Sequence, residues 1–580
     1  MPRGCCLRRQ ILGKGSTWFA FLAVLVFLSA SGPWRFPLAP DGLLVLRTAE
    51  ALAFEKTFVL PPAAPGASFH PWFFRAAPGG KDGVVSIYQP FSPLWRAAAL
   101  AAAGLAPPGP KRGALADFLL AFGPILITSL CVFPLSRLFR MGGLERRKAS
   151  LLAGLLVVCT FLGPLGVTDF SEPPLVLFLC LAFERVLLAR RLTGWRQKVA
   201  FTMSGFFGMA SNLVKPVGAA CGLALLVPAL FPLRGKRTLA PVFLLAAGAL
   251  PALGLFLFLN VLRTGKLLEI GYTDQPLTDT VSPFWTFLRI VVLPSRGLIW
   301  FAPLFVVAIP GVRLLFESRR RRIDAWACLL GFGPFFGINM TYWAWEGGMG
   351  WSPRYMAPAL LFLAPLIGAG ARRMPGLVAP LAIAGLFLNL PGYLLDYKRI
   401  YDSAQRATES PGPLGPVVAL HRDASSPEGI HPIQRPHYVT SFSHMIAGQR
   451  ILMELVFSGD SFEAGGLAPG SLGPRNDAFV LRAFLGSSSP PGSVIGKVLL
   501  DEAVVGMSVD LARSYRFARR SLDYGGPPLD ARSVAAYLAF RTGRFEEALM
   551  LCEEGLKLDA SRTDFSETRR HVLSALGRAP

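Results

Sequence analysis

The sequence predicts an α-helical polytopic membrane protein of about 11 transmembrane helices, followed by a soluble, mainly helical C-terminal domain. Three observations carry that expectation. Of 580 residues, 52% are hydrophobic and only 16% are charged, a balance that a string of water-soluble domains does not sustain. Apolar runs of about 20 residues, the length that crosses a bilayer, recur as far as residue 395. The connections between them alternate in kind, one set short and basic, the other longer and chemically mixed.

The first run, "STWFAFLAVLVFLSASGPW" (16–34), follows Arg3, Arg8, Arg9 and Lys14 and has no small-residue cleavage site, so it reads as a retained signal anchor. "ALADFLLAFGPILITSLCVFPL" (114–135) is the second, and further runs fall at about 149–167, 173–189, 199–214, 216–233, 239–262, 297–316, 323–341, 354–370 and 374–395. Positive charge resists translocation. The segments "RLFRMGGLERRK" (137–148), "RRLTGWRQK" (190–198), "RGKR" (234–237), "ESRRRR" (317–322) and "ARR" (371–373) occupy every second connection. This pattern predicts a multi-pass protein of the cytoplasmic (inner) membrane with a cytoplasmic N-terminus. The same loops hold much of the +23 net charge, so basicity reports topology and contact with anionic lipid, and nucleic acid is not an expected partner.

Three regions follow: a transmembrane domain over 1–395, with a first outer loop at about 35–113, an extracytoplasmic linker or soluble region over 396–500, and a helical segment over 501–580. An odd number of spans puts the C-terminal part outside. Of the eight cysteines, Cys131, Cys159, Cys180, Cys221 and Cys328 fall in apolar runs and only Cys552 in the tail, so no disulfide framework is expected there. His421, His431, His437 and His444 match no metal-ligand spacing and sit among turn formers. "RSVAAYLAFRTGRFEEALMLCEEGLKLDAS" (532–561) resembles one tetratricopeptide repeat, with 501–524 as a degenerate neighbour. Docking of a protein partner on these helices and simple capping are both open readings, as is an ordinary helical hairpin.

Chemistry concentrates in the outer set of loops. Asp41 follows the first span, Lys81 and Asp82 lie later in the same loop, and Asp169 and Glu172 stand in "VTDFSEPP". Lys215 precedes Pro216 at a span boundary, Arg296 lies in "LPSRGLIWFAPL", and "YWAWEGGMGWSPRYMAPAL" (342–360) brings Arg354 together with Trp343, Trp345 and Trp351. Ionisable groups at a membrane boundary are costly unless they serve a charged substrate. For each residue alone the plainer reading is a snorkelling or helix-capping side chain, and for the tryptophans an interfacial aromatic belt. The glycines at 347, 348 and 350 fit that belt poorly.

The ordered set "TAEALAFEKTFVLP", "VVSIYQPFSPLWRAAALAAAGL", "TDFSEPPLVLFLCLAFERVLLARR", "GFFGMASNLVKPVGA", "NVLRTGKLLEIGY", "LPSRGLIWFAPLFVVAIPG" and "YWAWEGGMGWSPRYMAPAL" resembles polytopic GT-C glycosyltransferases related to protein mannosyltransferases and aminoarabinose transferases. The likeness spans about 17–395, with departures at Lys215, Glu346 and "YQPFSP". It implies a GT-C-like fold and inverting transfer of a sugar from a polyprenyl-phosphate carrier to an acceptor hydroxyl of a glycan, lipid or protein in the cell envelope. It also implies Asp41 as general base; the charge growing on the leaving phosphate calls for cations, for which Arg354, Arg296 and Lys215 are the candidates. Asp169, Glu172 and Asp82 would orient the acceptor or hold a divalent cation, and Trp343, Trp345 and Trp351 would stack on sugar. A transporter or flippase of a lipid-linked sugar would share the charged cavity but should show internal hydropathy repeats. A non-catalytic scaffold for the tail would leave the charged loops unexplained.

Overall fold

The computed structural model describes residues 4–31, 40–60, 74–78, 83–86, 88–103, 114–168, 171–231, 239–268, 283–292, 297–341, 351–394, 500, 503–504, 511–523 and 528–579. The chain divides into two compact units, Met1–Leu394 and Leu395–Pro580.

The first unit opens with helices α1 (Gly4–Ser31) and α2 (Pro40–Glu50). A π-helical turn (Ala51–Glu55) ends α2 and closes on Lys56 in the left-handed region, φ 57°. Strands β1 (Val59–Leu60), β2 (Phe74–Ala76) and β3 (Val84–Ser86) form an antiparallel sheet of order β1-β3-β2, with Val85 opposite both Val59 and Arg75. Helix α3 (Phe91–Ala102) then packs on α2 through Leu46, Ala49, Ala97 and Leu100, so the described part of the first loop is a small α/β lobe.

The helices that follow are α4 (Ala114–Leu130), α5 (Val132–Met141), α6 (Arg146–Val158), α7 (Leu162–Gly166), α8 (Glu172–Ala189), α9 (Gly194–Ala210), α10 (Gly222–Leu230) and α11 (Ala240–Thr264). Then come α12 (Pro283–Val292), α13 (Leu298–Phe301), α14 (Ala308–Glu317), α15 (Arg322–Thr341), α16 (Ala357–Phe362), α17 (Ala364–Arg373) and α18 (Pro375–Leu394). Helix α8 and the run Ala364–Ala371 of α17 form the buried centre, packed by α5, α9, α14 and α16. Where α9 crosses α11, Gly205 lies on the Leu245 carbonyl and Gly248 on the Thr202 carbonyl, so a Cβ at either position would meet backbone. Small residues let helices approach this closely where apolar solvent supplies little drive for association.

The expectation of about 11 spans is corrected. Among the described residues four helices are long and apolar enough to cross a membrane: Phe118–Met141, Ala240–Thr264, Arg322–Thr341 and Pro375–Leu394. A fifth is counted if Arg354–Phe362 and Ala364–Arg373, bent by 64° at their junction, form one span. Hydropathy sees apolar content but not backbone breaks. The run at 149–167 divides into α6 and α7, that at 199–233 into α9, two 3₁₀ turns and α10, and that at 297–316 into α13, a 3₁₀ turn and α14. Helix α8 has the length but carries Glu172, Glu184 and Arg185. Gly15–Ser31 and Pro216–Leu230 are apolar but shorter. The chain is thus a mostly helical, multi-pass membrane protein, with fewer spans among the described residues than its hydropathy suggests.

In the second unit, α19 (Leu511–Asp523), α20 (Pro528–Arg541), α21 (Phe545–Leu558) and α22 (Thr563–Ala575) pack in succession. Ala535, Ala536, Ala539, Leu551, Phe565 and Val572 supply its core. Cys552 lies in that core, and burial pushes its thiol up to about 11, which keeps it protonated and inert. The region 396–500, with the four histidines named above, lies outside the described residues except for Leu500.

Candidate functional site

Three breaks in the helical pattern bring charged groups together. Pro173 and Pro174 start α8 and leave Glu172 in its first turn. Between α9 and α10 the chain makes two 3₁₀ turns, Ser211–Leu213 and Pro216–Cys221. Pro216 disfavours helix at the residue before it, and Lys215 is accordingly extended, φ −152°, ψ 138°. Its backbone N–H still donates to the Ser211 carbonyl at 3.1 Å, and its own carbonyl accepts from Gly218 at 3.0 Å. The third break is the 3₁₀ turn Arg354–Met356 ahead of α16. Asn339 on α15 holds it by donating to the Tyr355 carbonyl at 3.3 Å.

At the meeting point Lys215 donates a hydrogen bond to Oε1 of Glu172. Arg354 Nε lies 4.0 Å from the same oxygen. The Glu172 side chain is 1% exposed, Lys215 15% and Arg354 8%, so one carboxylate and two cations share a buried pocket of charge. Tyr355 orders them: its ring carries Lys215 Nζ 4.8 Å from the centroid and the Arg354 guanidinium 5.0 Å from it, and its hydroxyl accepts from Arg354 at 3.3 Å. Cation–π contact of this kind holds charge in place without neutralising it. Oε2 of Glu172 is buried with no hydrogen-bond partner among the described residues.

Glu172, Lys215 and Arg354, picked separately from three loops, therefore meet. Asp41 lies in the first turn of α2, with its side chain outside the described set. Asp82, Asp169, Arg296, Trp343 and Trp345 lie outside the described residues. Trp351 is fully buried, edge-on to Phe301 with centroids 5.9 Å apart, and Gly392 lies against its ring. In this arrangement it fills core space. The sequence reading missed Tyr355 and Asn339, although the adjacency of Arg354 and Tyr355 was a visible cue.

A divalent cation fits poorly at Glu172, because Lys215 and Arg354 already face that carboxylate. Among the described residues no three His, Cys, Asp or Glu side chains gather as metal ligands. Elsewhere in this unit the buried Arg263 at the end of α11 donates to the Tyr88 carbonyl at 2.5 Å and to Asn260 at 3.2 Å, which ties the first-loop lobe to α11.

No family model matches the chain, and no curated protein matches it in sequence. Among solved structures it is similar to ArnT from Cupriavidus metallidurans bound to undecaprenyl phosphate, at 14% identity over 84% of this chain and 78% of that one, with a TM-score of 0.45. It is also similar to the apo oligosaccharyltransferase of Archaeoglobus fulgidus, at 16% identity over 75% of this chain, with a TM-score of 0.38. The chain spans 64% of that protein's length, less than two thirds of it. Likeness at this level assigns no residue a role.

Proposed function

We propose that this chain is a GT-C-like membrane glycosyltransferase that moves a sugar from a polyprenyl-phosphate carrier to an acceptor hydroxyl at the outer face of the cytoplasmic membrane, with inversion. The observation that carries the reading is the convergence of Lys215 and Arg354 on one buried position beside Tyr355. A membrane-embedded donor must leave its long lipid in the bilayer while its phosphosugar enters a polar site formed at broken helices. The bond from the sugar's anomeric carbon to the phosphate oxygen breaks, and the carrier phosphate leaves with that electron pair. Fixed cations lower the barrier to that charge. Lys215 and Arg354 supply them, with Arg296 as a third.

In this reading Asp41 accepts the proton of the acceptor hydroxyl as its oxygen attacks the anomeric carbon from the face opposite the phosphate. Asp82 and Asp169 orient the acceptor, and Trp343 and Trp345 stack on sugar. The N-terminus is cytoplasmic, and the C-terminal helices lie outside as a docking surface for a protein partner. The acceptor is a glycan, a lipid or a protein of the envelope.

Lipid analysis of a deletion strain tests the proposal. One polyprenyl-phosphate sugar should accumulate and one envelope glycan should lose a residue. The wild-type gene should reverse both changes, and a stably inserted Asp41→Asn protein neither. A deletion that leaves every lipid-linked sugar and glycan unchanged would overturn the reading.

A further inference from the structure

We infer that Glu172 is a built-in counter-anion, which occupies the two cations when no ligand is bound and competes with the ligand's phosphate for them. The inference rests on the phosphate ligand proposed above and adds a function for the carboxylate beside it. Three observations carry it. First, Lys215 and Arg354 approach the same atom, Oε1, so a single oxygen stands where an incoming anion's oxygen would stand. Second, Oε2 is buried with no hydrogen-bond partner among the described residues, so the carboxylate is held chiefly by the cations and not by a network of side chains. Third, Pro173 and Pro174 follow it directly. Proline has no N–H, so two of the backbone donors that a helix's first turn leaves without intrahelical partners are missing beside it. Beyond its own backbone N–H, the carboxylate is left to the cations.

The consequence is a tempered anion site. Two buried cations with no internal anion would hold a phosphate tightly and release the spent carrier slowly. With Glu172 present its carboxylate offsets part of the positive charge of Lys215 and Arg354. The ligand's phosphate must take Lys215 and Arg354 over from Oε1, and Glu172 takes them back on release. Tyr355 holds both cations through its ring, a contact that does not use the anion's position.

The test uses the full chain in nanodiscs and measures binding of a short-chain prenyl monophosphate, with the matching prenol as the uncharged probe. Lys215→Ala and Arg354→Ala should each weaken prenyl-phosphate binding about tenfold or more, and Glu172→Gln should tighten it by about tenfold, the scale of one charge-assisted hydrogen bond removed or released. Prenol binding should be the same in Glu172→Gln as in wild type, which also shows that the site is intact. If prenol binding falls, Glu172→Asp becomes the deciding variant, because a shorter carboxylate should loosen its hold on the cations and give an intermediate gain. Competition by inorganic phosphate separates a site for the phosphate group alone from one that needs the lipid. Weakened or unchanged prenyl-phosphate binding in Glu172→Gln with prenol binding intact, or in Glu172→Asp where it is not, overturns the inference, provided the Lys215 and Arg354 variants lose affinity. If those two keep full affinity, the failure belongs to the proposed function instead.

Discussion

The two ends of α8, about 27 Å apart for an 18-residue helix, each bring one carboxylate and two cations together among the described residues and use them differently. At the C-terminal end Asp324 receives Arg190 on Oδ1 and Arg191 on Oδ2, the latter at 3.1 Å. Each arginine has a second acceptor: Arg190 Nε donates to the Phe231 carbonyl at 2.9 Å and Arg191 to the Met141 carbonyl at 3.5 Å. This knot joins the end of α8, α15, the last residue of α5 and the residue after α10, and both carboxylate oxygens are used. At the N-terminal end both cations crowd one oxygen of Glu172 and the other oxygen is unpartnered among the described residues. A saturated cluster does structural work, because any ligand would have to break it. An unsaturated one has capacity for exchange.

The all-or-none way to sharpen this comparison is topology. Reporter fusions after Arg322, beside the Asp324 knot, should behave as cytoplasmic, and fusions after Asp396 as exported. Opposite sides require three crossings between the two points: α15, the bent pair α16–α17, and α18. Fusions on the same side would make the bent pair a re-entrant loop and overturn the outward placement of the C-terminal unit.

Activity should separate the ends next. Arg354→Ala should abolish transfer in a correctly inserted protein, and Arg354→Lys should restore only part of it, because an ammonium lacks the guanidinium fork. Asp41→Asn should slow transfer by about 100- to 10,000-fold, the usual cost of losing a positioned base, while donor binding persists. Near wild-type turnover in Asp41→Asn would move the base to Asp82, Asp169 or Glu172.

Stability should report the other end. Removing one partner of a buried, paired charge costs about 3–5 kcal/mol. Asp324→Ala takes the carboxylate from both arginines, whereas Arg354→Ala leaves Glu172 bonded to Lys215. Asp324→Ala should therefore lower the thermal stability of the detergent-solubilised chain more than Arg354→Ala does. Among the described residues Arg190, Arg191 and Asp324 bond to none proposed for catalysis, so the Asp324→Ala protein that survives should keep its specific activity. Equal destabilisation at both ends would mean that the Glu172 cluster is also a structural knot.

The members of the N-terminal cluster were legible in the sequence and their meeting was not. Lys215 before Pro216, Glu172 before two prolines and Arg354 after a proline each announce a helix boundary. Glu172 and Lys215 are 43 residues apart in the chain, and a single sequence holds no signal for contacts at that separation. The Asp324 knot, whose partners are 134 residues apart, was invisible for the same reason. The apolar runs announced a membrane protein correctly but overstated its spans, because periodicity does not register a break such as Cys159–Phe161 or Lys215–Cys221. The strands of the first-loop lobe have two or three residues each, too short for alternation to show.

The smallest expected effect lies in the second unit, where a third cluster inverts the inventory: Arg562 pairs with Asp564 at 2.7 Å and Asp530 at 3.1 Å, all partly exposed. The Arg562 guanidinium, by hydrogen bonding, holds the Asp564 carboxyl below the usual carboxylate range. A group whose folded-state value is depressed stabilises the fold above its unfolded value, about 3.9 for aspartate, and loses that contribution as pH falls toward the folded one. Wild type should therefore protect the amides of α22 from hydrogen exchange better than Asp564→Asn at pH 6, and the gap should narrow at pH 3. The gap should be small at either pH, because solvent screens exposed pairs. Asp559, also depressed through its bonds to Ser561, titrates in the same window in both proteins and cancels from the difference. A gap that stays constant between the two pH values would remove the charge of Asp564, in the first turn of α22, and with it both the ion pair and the charge–dipole attraction at the helix start, as its cause.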